Sequence, residues 1–338
     1  MLTVAIVGFG LSGRYLQAPF FVTNPNFRLK TIVTNNQNPT AVFPTVQKAT
    51  SLDAVLADKD IDLVSICSPN NTHFEYAQKC LLAGKHILVE KPFTATAEQA
   101  ETIIALAKKQ GKHVFVFQNR RFDCDFLTVK HVVEEGLLGE LVSYEAHFNR
   151  FKPLLNPKKW KEIADPCNGI LYDLGSHIAD QAIGLFGGPL SISGETWTQR
   201  AHSKVDDAFD VKLDYGRLKV TLKSSLLVRE DTPRYILQGT KGSFVKYGID
   251  IQEDQLKAGL MPNDAGFGAE SVDFQGLINA EINGLGIRGK VETKVGAWHL
   301  LFQNIYDVIV LDKEPLIKMS EVLEQIKILE KVKNNPPF

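Results

Sequence analysis

Through about residue 120 the chain alternates short apolar runs with helical periodicity, and this alternation constrains the fold more than any other feature. Thr3–Val7, Leu29–Val33, Leu63–Cys67, His86–Val89 and Val114–Phe117 are brief and apolar, as strands buried on both faces are. Between them, Phe74, Ala77 and Leu81 share a helical face, with Gly84 where a C-terminal glycine belongs. Thr96-x-x-Gln99 resembles a capping box. Beyond it Ala100, Ile103, Ile104 and Ala107 repeat at i, i+3, i+4, i+7, and Gly111 follows the last turn. Strand–helix–strand units of this kind imply right-handed crossovers and a parallel sheet.

Gly8-Phe9-Gly10-Leu11-Ser12-Gly13 follows the first run directly and opens a helix. G-x-G-x-x-G in that context reads as a dinucleotide-binding turn. Gly8 suits the tight turn, Gly10 lets backbone approach a pyrophosphate, and Gly13 allows close helix–strand packing. The helix N-terminus offers N–H groups to the phosphates. The second run ends Val33-Thr34-Asn35-Asn36-Gln37, without the acid that usually bonds an NAD ribose. Thr34 and Asn35 can donate to a 2′-phosphate instead, so NADP is the expected cofactor and NAD the alternative. Arg14 lies nearby, at the start of the helix.

Past residue 120 the patterning changes. Val142, Tyr144, Ala146 and Phe148 alternate with polar residues, and so do Leu218, Val220 and Leu222. Period-two alternation suits an open, largely antiparallel sheet. Pro233–Gly239 and Gly242–Gly248 read as two strands joined at Thr240-Lys241. Residues 250–295 are Gly- and Asn-rich with weak periodicity and are expected to be a long irregular excursion. Helical patterns return at Trp298–Leu311 and Ser320–Lys333. The expected fold is α/β: an N-terminal Rossmann dinucleotide-binding domain, residues 1–119, then a C-terminal α+β domain, residues 120–338, with a large open, mostly antiparallel sheet.

Composition excludes several function classes. With 38 Lys+Arg against 39 Asp+Glu, there is no field to gather nucleic acid or an anionic membrane. No apolar run is long enough to span a bilayer. The N-terminus shows no basic region or small-residue cleavage site, so neither a signal nor a transit peptide is expected. Cys67, Cys80, Cys124 and Cys167 have no metal-site spacing and read as free, packed thiols. No metal is expected, and a cytoplasmic location fits.

Further motifs follow the later strands. Ser68-Pro69-Asn70-Asn71-Thr72-His73 and Glu90-Lys91-Pro92 come first, and Asn168-Gly169-Ile170-Leu171-Tyr172-Asp173-Leu174-Gly175-Ser176-His177 lies far downstream. In this order, after a dinucleotide fold, the set resembles the Gfo/Idh/MocA oxidoreductase family over essentially the whole chain. Phe117–Asp123, Phe148–Pro153 and Ser243–Gly248 most resemble its branch of NADP-dependent scyllo-inositol dehydrogenases. The resemblance places the family's Glu-Lys-Pro motif on Glu90, Lys91 and Pro92, and its Asp-x-x-x-His pair on Asp173 and His177. One departure stands out: the downstream motif commonly begins Gly-Gly, and here it begins Asn168-Gly169.

The resemblance implies that Lys91, Asp173 and His177 are catalytic. Independently, Asp173 and His177 are four apart on an expected helix and share a face beside a stripe of Leu174, Ile178, Ala182 and Leu185. Lys91 follows a buried parallel strand at its C-terminal end, where open α/β sheets bind ligands. Alone, His177 would ordinarily be a core histidine and Lys91 a solvated surface lysine. The expected cofactor contacts are the Gly8–Gly13 turn with Phe9, Leu11 and Ser12, then Thr34, Asn35, Ser68, Pro69, Asn70, His73, Glu90, Lys91 and Asn119. His73 has an alternative role in closing the loop at a helix end. The expected substrate contacts are Lys91, Arg120, Arg150, Trp160, Tyr172, Asp173, His177 and Tyr235. Sugar faces stack on aromatics while hydroxyls need fixed donors and acceptors. Arg120 and Arg121 read equally as a salt-bridging pair at a hinge.

The expected activity is NAD(P)-dependent hydride transfer between nicotinamide and a secondary alcohol or ketone of a polyol, inositol or sugar. A reductase of another carbonyl or conjugated substrate, of the biliverdin reductase or dihydrodiol dehydrogenase type, is the second reading. A non-enzymatic nucleotide-sensing co-regulator is the third, and Lys91, Asp173 and His177 argue against it. A homodimer or homotetramer through the open sheet is expected.

Overall fold

A computed structural model of the chain describes residues 1–335. The backbone forms two compact units: Met1–Asn119 with Gln252–Phe267 and Ala297–Leu323, and Arg120–Ile251 with Gly268–Gly296 and the chain from Glu324 onward.

In the first unit six strands are hydrogen-bonded in parallel: β1 (Leu2–Val7), β2 (Phe27–Val33), β3 (Gln47–Ala49), β4 (Leu63–Ile66), β5 (His86–Val89) and β6 (Val114–Val116). Their order, β3-β2-β1-β4-β5-β6, is that of a doubly wound dinucleotide-binding sheet. Every residue of β1 is buried, as expected of a central strand covered on both faces. The sequence reading misses β3, a short edge strand with no apolar run. The crossovers carry α1 (Ala18–Thr23), α2 (Leu52–Ala57), α3 (His73–Leu82) and α4 (Ala97–Gln110). Thr96 caps α4 by accepting the Gln99 N–H at 3.2 Å, and Gln99 returns an acceptor to the Ala95 N–H at 3.1 Å. Gly84 and Gly111 follow their helices at φ +73° and +61°. Two later helices belong to this unit, Gln252–Lys257 and His299–Leu311. Phe302 of the second stacks on Phe20, ring centroids 4.7 Å apart, and meets Phe21 edge-on at 5.0 Å.

The second unit is built on an eight-stranded sheet of β7 (Leu141–His147), β8 (Ser191–Trp197), β9 (Ala208–Tyr215), β10 (Leu218–Ser225), β11 (Tyr235–Gly239), β12 (Gly242–Lys246), β13 (Gly276–Ile282) and β14 (Leu285–Val291). Its order is β14-β13-β12-β11-β7-β10-β9-β8, antiparallel throughout except where β10 runs parallel to β7. Val220 and Leu222 of β10 are buried while Lys219 and Lys223 pair across the strand with Asp214 and Asp210, at 2.7 and 3.2 Å. Helices α5 (Cys124–Glu134) and α6 (Ser176–Phe186) complete the unit's core.

Residues 250–295 are not the irregular excursion that their composition suggests. They hold a short helix and the β13–β14 hairpin. Strand β14 is exposed along nearly its whole length, so it carries no alternating apolar signal. The legible cue is Asn283-Gly284, both at positive φ, +52° and +79°, as a tight hairpin turn demands.

Candidate active site

The glycine turn of the first unit is shaped by three different constraints. Gly8 has φ +103°, and a Cβ there would lie 2.5 Å from the Cys67 carbonyl oxygen. A Cβ on Gly13 would lie 2.0 Å from the Gly8 carbonyl oxygen. A Cβ on Gly10 would meet nothing within 4 Å. Gly8 and Gly13 are therefore fixed by the protein's own packing, whereas Gly10 borders open space. The helix that follows begins with a π-helical turn, Ser12–Gln17, and no side chain caps it. An open cradle at the N-terminus of a helix fits the pyrophosphate of a dinucleotide. Phe9 is buried and meets Phe43 edge-on at 6.2 Å, so its ring packs while its backbone belongs to the turn. Leu11 is exposed.

Glu90 links this turn to Lys91. One carboxylate oxygen accepts from the Ser12 hydroxyl and from Gln17 Nε2 at 3.0 Å; the other accepts the Lys91 N–H at 3.0 Å. Gln17 in turn accepts from the Ser65 hydroxyl. Burial pushes the Glu90 carboxyl above its ordinary range, opposed by the Ser12 hydrogen bond and the Lys91 charge. Lys91 itself lies just beyond β5 and is half-buried.

His73 is fully buried, and its two ring nitrogens face the Pro92 and Ser68 carbonyl oxygens at 2.8 and 3.0 Å. It ties the Ser68 loop to the Lys91-Pro92 turn. This corrects the expectation of a cofactor contact: the ring is enclosed, and its one N–H is donated to backbone. Burial lowers its pKa. The Ser68 hydroxyl meets the Thr72 hydroxyl at 2.5 Å; Pro69 is exposed and Asn70 half-buried. Thr34 is half-buried, with its N–H on the Ala49 oxygen at 2.9 Å, and Asn35 is exposed. The Arg14 guanidinium lies over the Tyr15 ring at 4.9 Å and 6.0 Å from that of Phe9. Asn119 is buried at the end of the first unit's long segment.

In the second unit, the helix bearing Asp173 and His177 also opens with a π-helical turn, Leu171–Gly175, and continues as α6. Asp173 is half-exposed and His177 is 5% exposed. The Asp206 carboxylate receives the Leu171 N–H at 2.8 Å and fills the space that a Cβ on Gly169 would need. Lys333 pairs with the same carboxylate. Lower on α6, Asp180 takes a two-pronged bond from Arg121, 2.7 and 2.8 Å. Arg121 is thus a buttress of the helix.

Phe148 gathers several of the remaining candidates. The Arg120, Arg150 and Arg234 guanidinium groups lie 5.2, 5.2 and 3.9 Å from its ring centroid, and the His177 ring is 6.2 Å away. Arg120 pairs with Asp123 at 3.1 Å. Tyr235 is a core residue: it is 0% exposed, and its hydroxyl donates to Gln181 Oε1 at 2.9 Å. Tyr172 is likewise buried. Neither ring presents a face on which a sugar could stack, so this expectation is corrected. Trp160 is 37% exposed and retains an open ring.

Comparison with known proteins bears directly on these features. The family model described as "Oxidoreductase family, NAD-binding Rossmann fold" matches residues 2–118, and "Oxidoreductase family, C-terminal alpha/beta domain" matches residues 130–335. The chain belongs to the Gfo/Idh/MocA oxidoreductase family. It is 38% identical to the oxidoreductase YhhX of Escherichia coli, over 98% of this chain and 96% of that one. It is also 38% identical to scyllo-inositol 2-dehydrogenase (NADP(+)) IolW of Bacillus subtilis, over 82% of this chain and 77% of that one. Among solved structures, an oxidoreductase from Bacillus cereus matches with TM-score 0.93 and 40% identity, covering 99% of this chain and 97% of that one.

As a Gfo/Idh/MocA oxidoreductase, the chain carries a nicotinamide-dinucleotide-binding domain. Sequence reasoning finds the family motifs but misses what holds them. Asp206 and the Gln17–Ser12–Glu90 cluster have no local signal, because Asp206 and Glu90 are distant from their partners in the sequence; Arg121 reads as salt-bridging, but nothing local points to Asp180 as its partner. Asn168, where the family commonly has glycine, is a working residue here: its side-chain amide donates to the Trp160 and Ile163 carbonyl oxygens at 2.7 and 3.1 Å. Lys161 carries no motif signal either, and its ammonium lies 3.2 Å from the Asp173 carboxylate.

Proposed function

We propose that this oxidoreductase is an NADP-dependent dehydrogenase acting on a secondary alcohol or ketone of a polyol, inositol or sugar, best matched by scyllo-inositol. The observation carrying this reading is the Asp173–His177 helix: a half-exposed carboxylate and a nearly enclosed imidazole on a helix fixed by Asp206 and Arg121. The activity for which the IolW relative is named supports both the substrate class and NADP. The absence of an acid at Thr34-Asn35 supports NADP independently.

The nicotinamide, when bound, accepts or supplies the hydride. The Gly8–Gly13 turn would hold its pyrophosphate, and Thr34 and Asn35 the adenosine ribose. Ser68, Pro69, Asn70, Glu90, Lys91 and Asn119 would border the other half. His177 takes the proton of the reacting hydroxyl and returns it in the reverse direction. Lys91 supplies an ammonium that steadies negative charge as it develops on a substrate oxygen. Asp173 accepts a hydrogen bond and holds the local charge balance. Arg120, Arg150 and Trp160 contact the remaining hydroxyls. Exposed Trp197, Leu277 and Ile287 on the large sheet favour a homodimer or homotetramer, which sedimentation velocity would reveal.

The test is a spectrophotometric assay of purified protein with NADP⁺ or NAD⁺ and a panel of inositols and sugars. Growth of the reduced-nicotinamide band with an inositol, faster with NADP⁺, is the expected result. Nucleotide binding without turnover of any polyol would contradict the dehydrogenase reading and favour a sensor.

A further inference from the structure

We propose that Lys161 and Asp173 form a donor–acceptor pair that reads neighbouring hydroxyls of the substrate, and that Asn168 is the positioning residue that keeps Lys161 in place. The inference rests on the polyol reading above and adds to it a specificity-determining residue.

Lys161 sits on a strap that is pinned on both sides. The short helical turn Lys159–Glu162 forms its middle. The Asn168 amide donates to the carbonyls of Trp160 and Ile163, which flank Lys161. Glu162, the next residue, faces away into a separate anchor: it accepts from the Asn156 N–H at 2.7 Å, from Arg200 Nη2 at 3.2 Å and from the Ser203 hydroxyl at 3.2 Å. Arg200 is itself fixed by Asp207 at 2.9 Å and donates to the Leu154 carbonyl at 3.0 Å. The backbone on either side of Lys161 is therefore fixed, and its ammonium is directed to Asp173 at 3.2 Å, with the Trp160 ring 5.7 Å away.

A partly exposed ion pair contributes little to stability, so folding energetics alone do not account for this construction. Its chemistry suits hydroxyl recognition. The ammonium offers donors and the carboxylate acceptors, and both side chains are partly exposed, 32% and 42%. Two adjacent hydroxyls can span the pair, one accepting from Nζ and the other donating to the carboxylate. Asp173 belongs to the same helix as His177, so the pair reads hydroxyls beside the one that His177 deprotonates. A glycine at 168 would have no donors for the strap, and Lys161 would lose its fixed backbone.

The experiment compares wild type, Lys161→Met, Lys161→Arg and Asn168→Gly with NADP⁺ and scyllo-inositol, alongside NADPH binding by fluorescence and limited trypsin digestion. Loss of a charged hydrogen bond to a hydroxyl predicts a KM raised about tenfold or more in Lys161→Met, with kcat within about threefold. NADPH binding should be unchanged, and Lys161→Arg should recover most of the loss. Asn168→Gly should raise KM in the same direction and speed tryptic cleavage within 158–161. A Lys161→Met KM within about twofold of an active wild type would overturn the hydroxyl-reading role. Unchanged cleavage in Asn168→Gly would overturn the pinning role. A wild type that binds NADPH but oxidises no inositol would refute the polyol reading and this inference with it.

Discussion

Asp206 accepts the Leu171 N–H at 2.8 Å, and its carboxylate occupies the volume that a side chain on Gly169 would require. The helix presenting Asp173 and His177 is thus anchored at its first turn by a residue from a distant loop. Gly169 has φ +106°, and a Cβ there would lie 2.1 Å from Asp206 Oδ1. Gly169→Ala should lower stability by about 1–3 kcal/mol from backbone strain, with displacement of Asp206 adding to it. Urea unfolding measures this, and a midpoint unchanged from wild type would contradict the anchoring role.

The three glycines of the turn should separate by phenotype. Gly10→Ala places a methyl in open space, so the free protein should unfold at the wild-type temperature. The same methyl stands where a pyrophosphate approaches, so NADPH affinity should fall at least about tenfold, or ~1.4 kcal/mol. Gly8→Ala and Gly13→Ala overlap backbone oxygens and should destabilise the free protein itself. Calorimetry with and without nucleotide distinguishes the two classes.

Arg121 and Asp180 form a buried, two-pronged ion pair. Removing either partner alone leaves an uncompensated buried charge, so Arg121→Met or Asp180→Leu should each cost about 3–5 kcal/mol. The double substitution should cost less than the sum of the two. A double-mutant cycle by chemical denaturation checks this, and additive losses would contradict the pairing.

Legibility in the sequence follows the range of the interactions. The parallel sheet, the Thr96 cap, Gly84, Gly111 and the glycine turn are local features, and local patterning locates them. The Asp173–His177 pair is legible as a helical face, and the family motifs point to it. Tyr235 and His73 are misread because alternation and loop context do not show where a hydroxyl or an imidazole is spent. One is tied to Gln181, and the other is enclosed between the Ser68 and Pro92 carbonyls. Strand β14 is missed because an exposed edge strand has no buried face to leave a pattern. Asp206 and Lys161 act on residues distant in the chain or across a loop, so no spacing rule reaches them; Arg121 reads as salt-bridging, but its partner Asp180 is out of reach of any such rule.

Acid should weaken the fold through His86. The His86 Nδ1 accepts the His113 N–H at 3.0 Å, which requires a neutral ring. Burial, aided by Lys112 and His113, holds its pKa down at about 4. The unfolded chain therefore takes up this proton first. Its stabilising contribution is complete above about pH 6.5 and is lost as pH falls toward about 4. His86→Gln should flatten the pH dependence of stability in that window by up to one proton, read from urea midpoints. An unchanged slope would show that the ring is not held neutral.

The central claim is that His177 moves a proton during nicotinamide-dependent oxidation of a polyol. The most direct measurement is kcat for His177→Ala with NADP⁺ and scyllo-inositol, in protein shown by fluorescence to bind NADPH as wild type does. The account predicts a loss of at least about a hundredfold. A kcat within about threefold of wild type would contradict it.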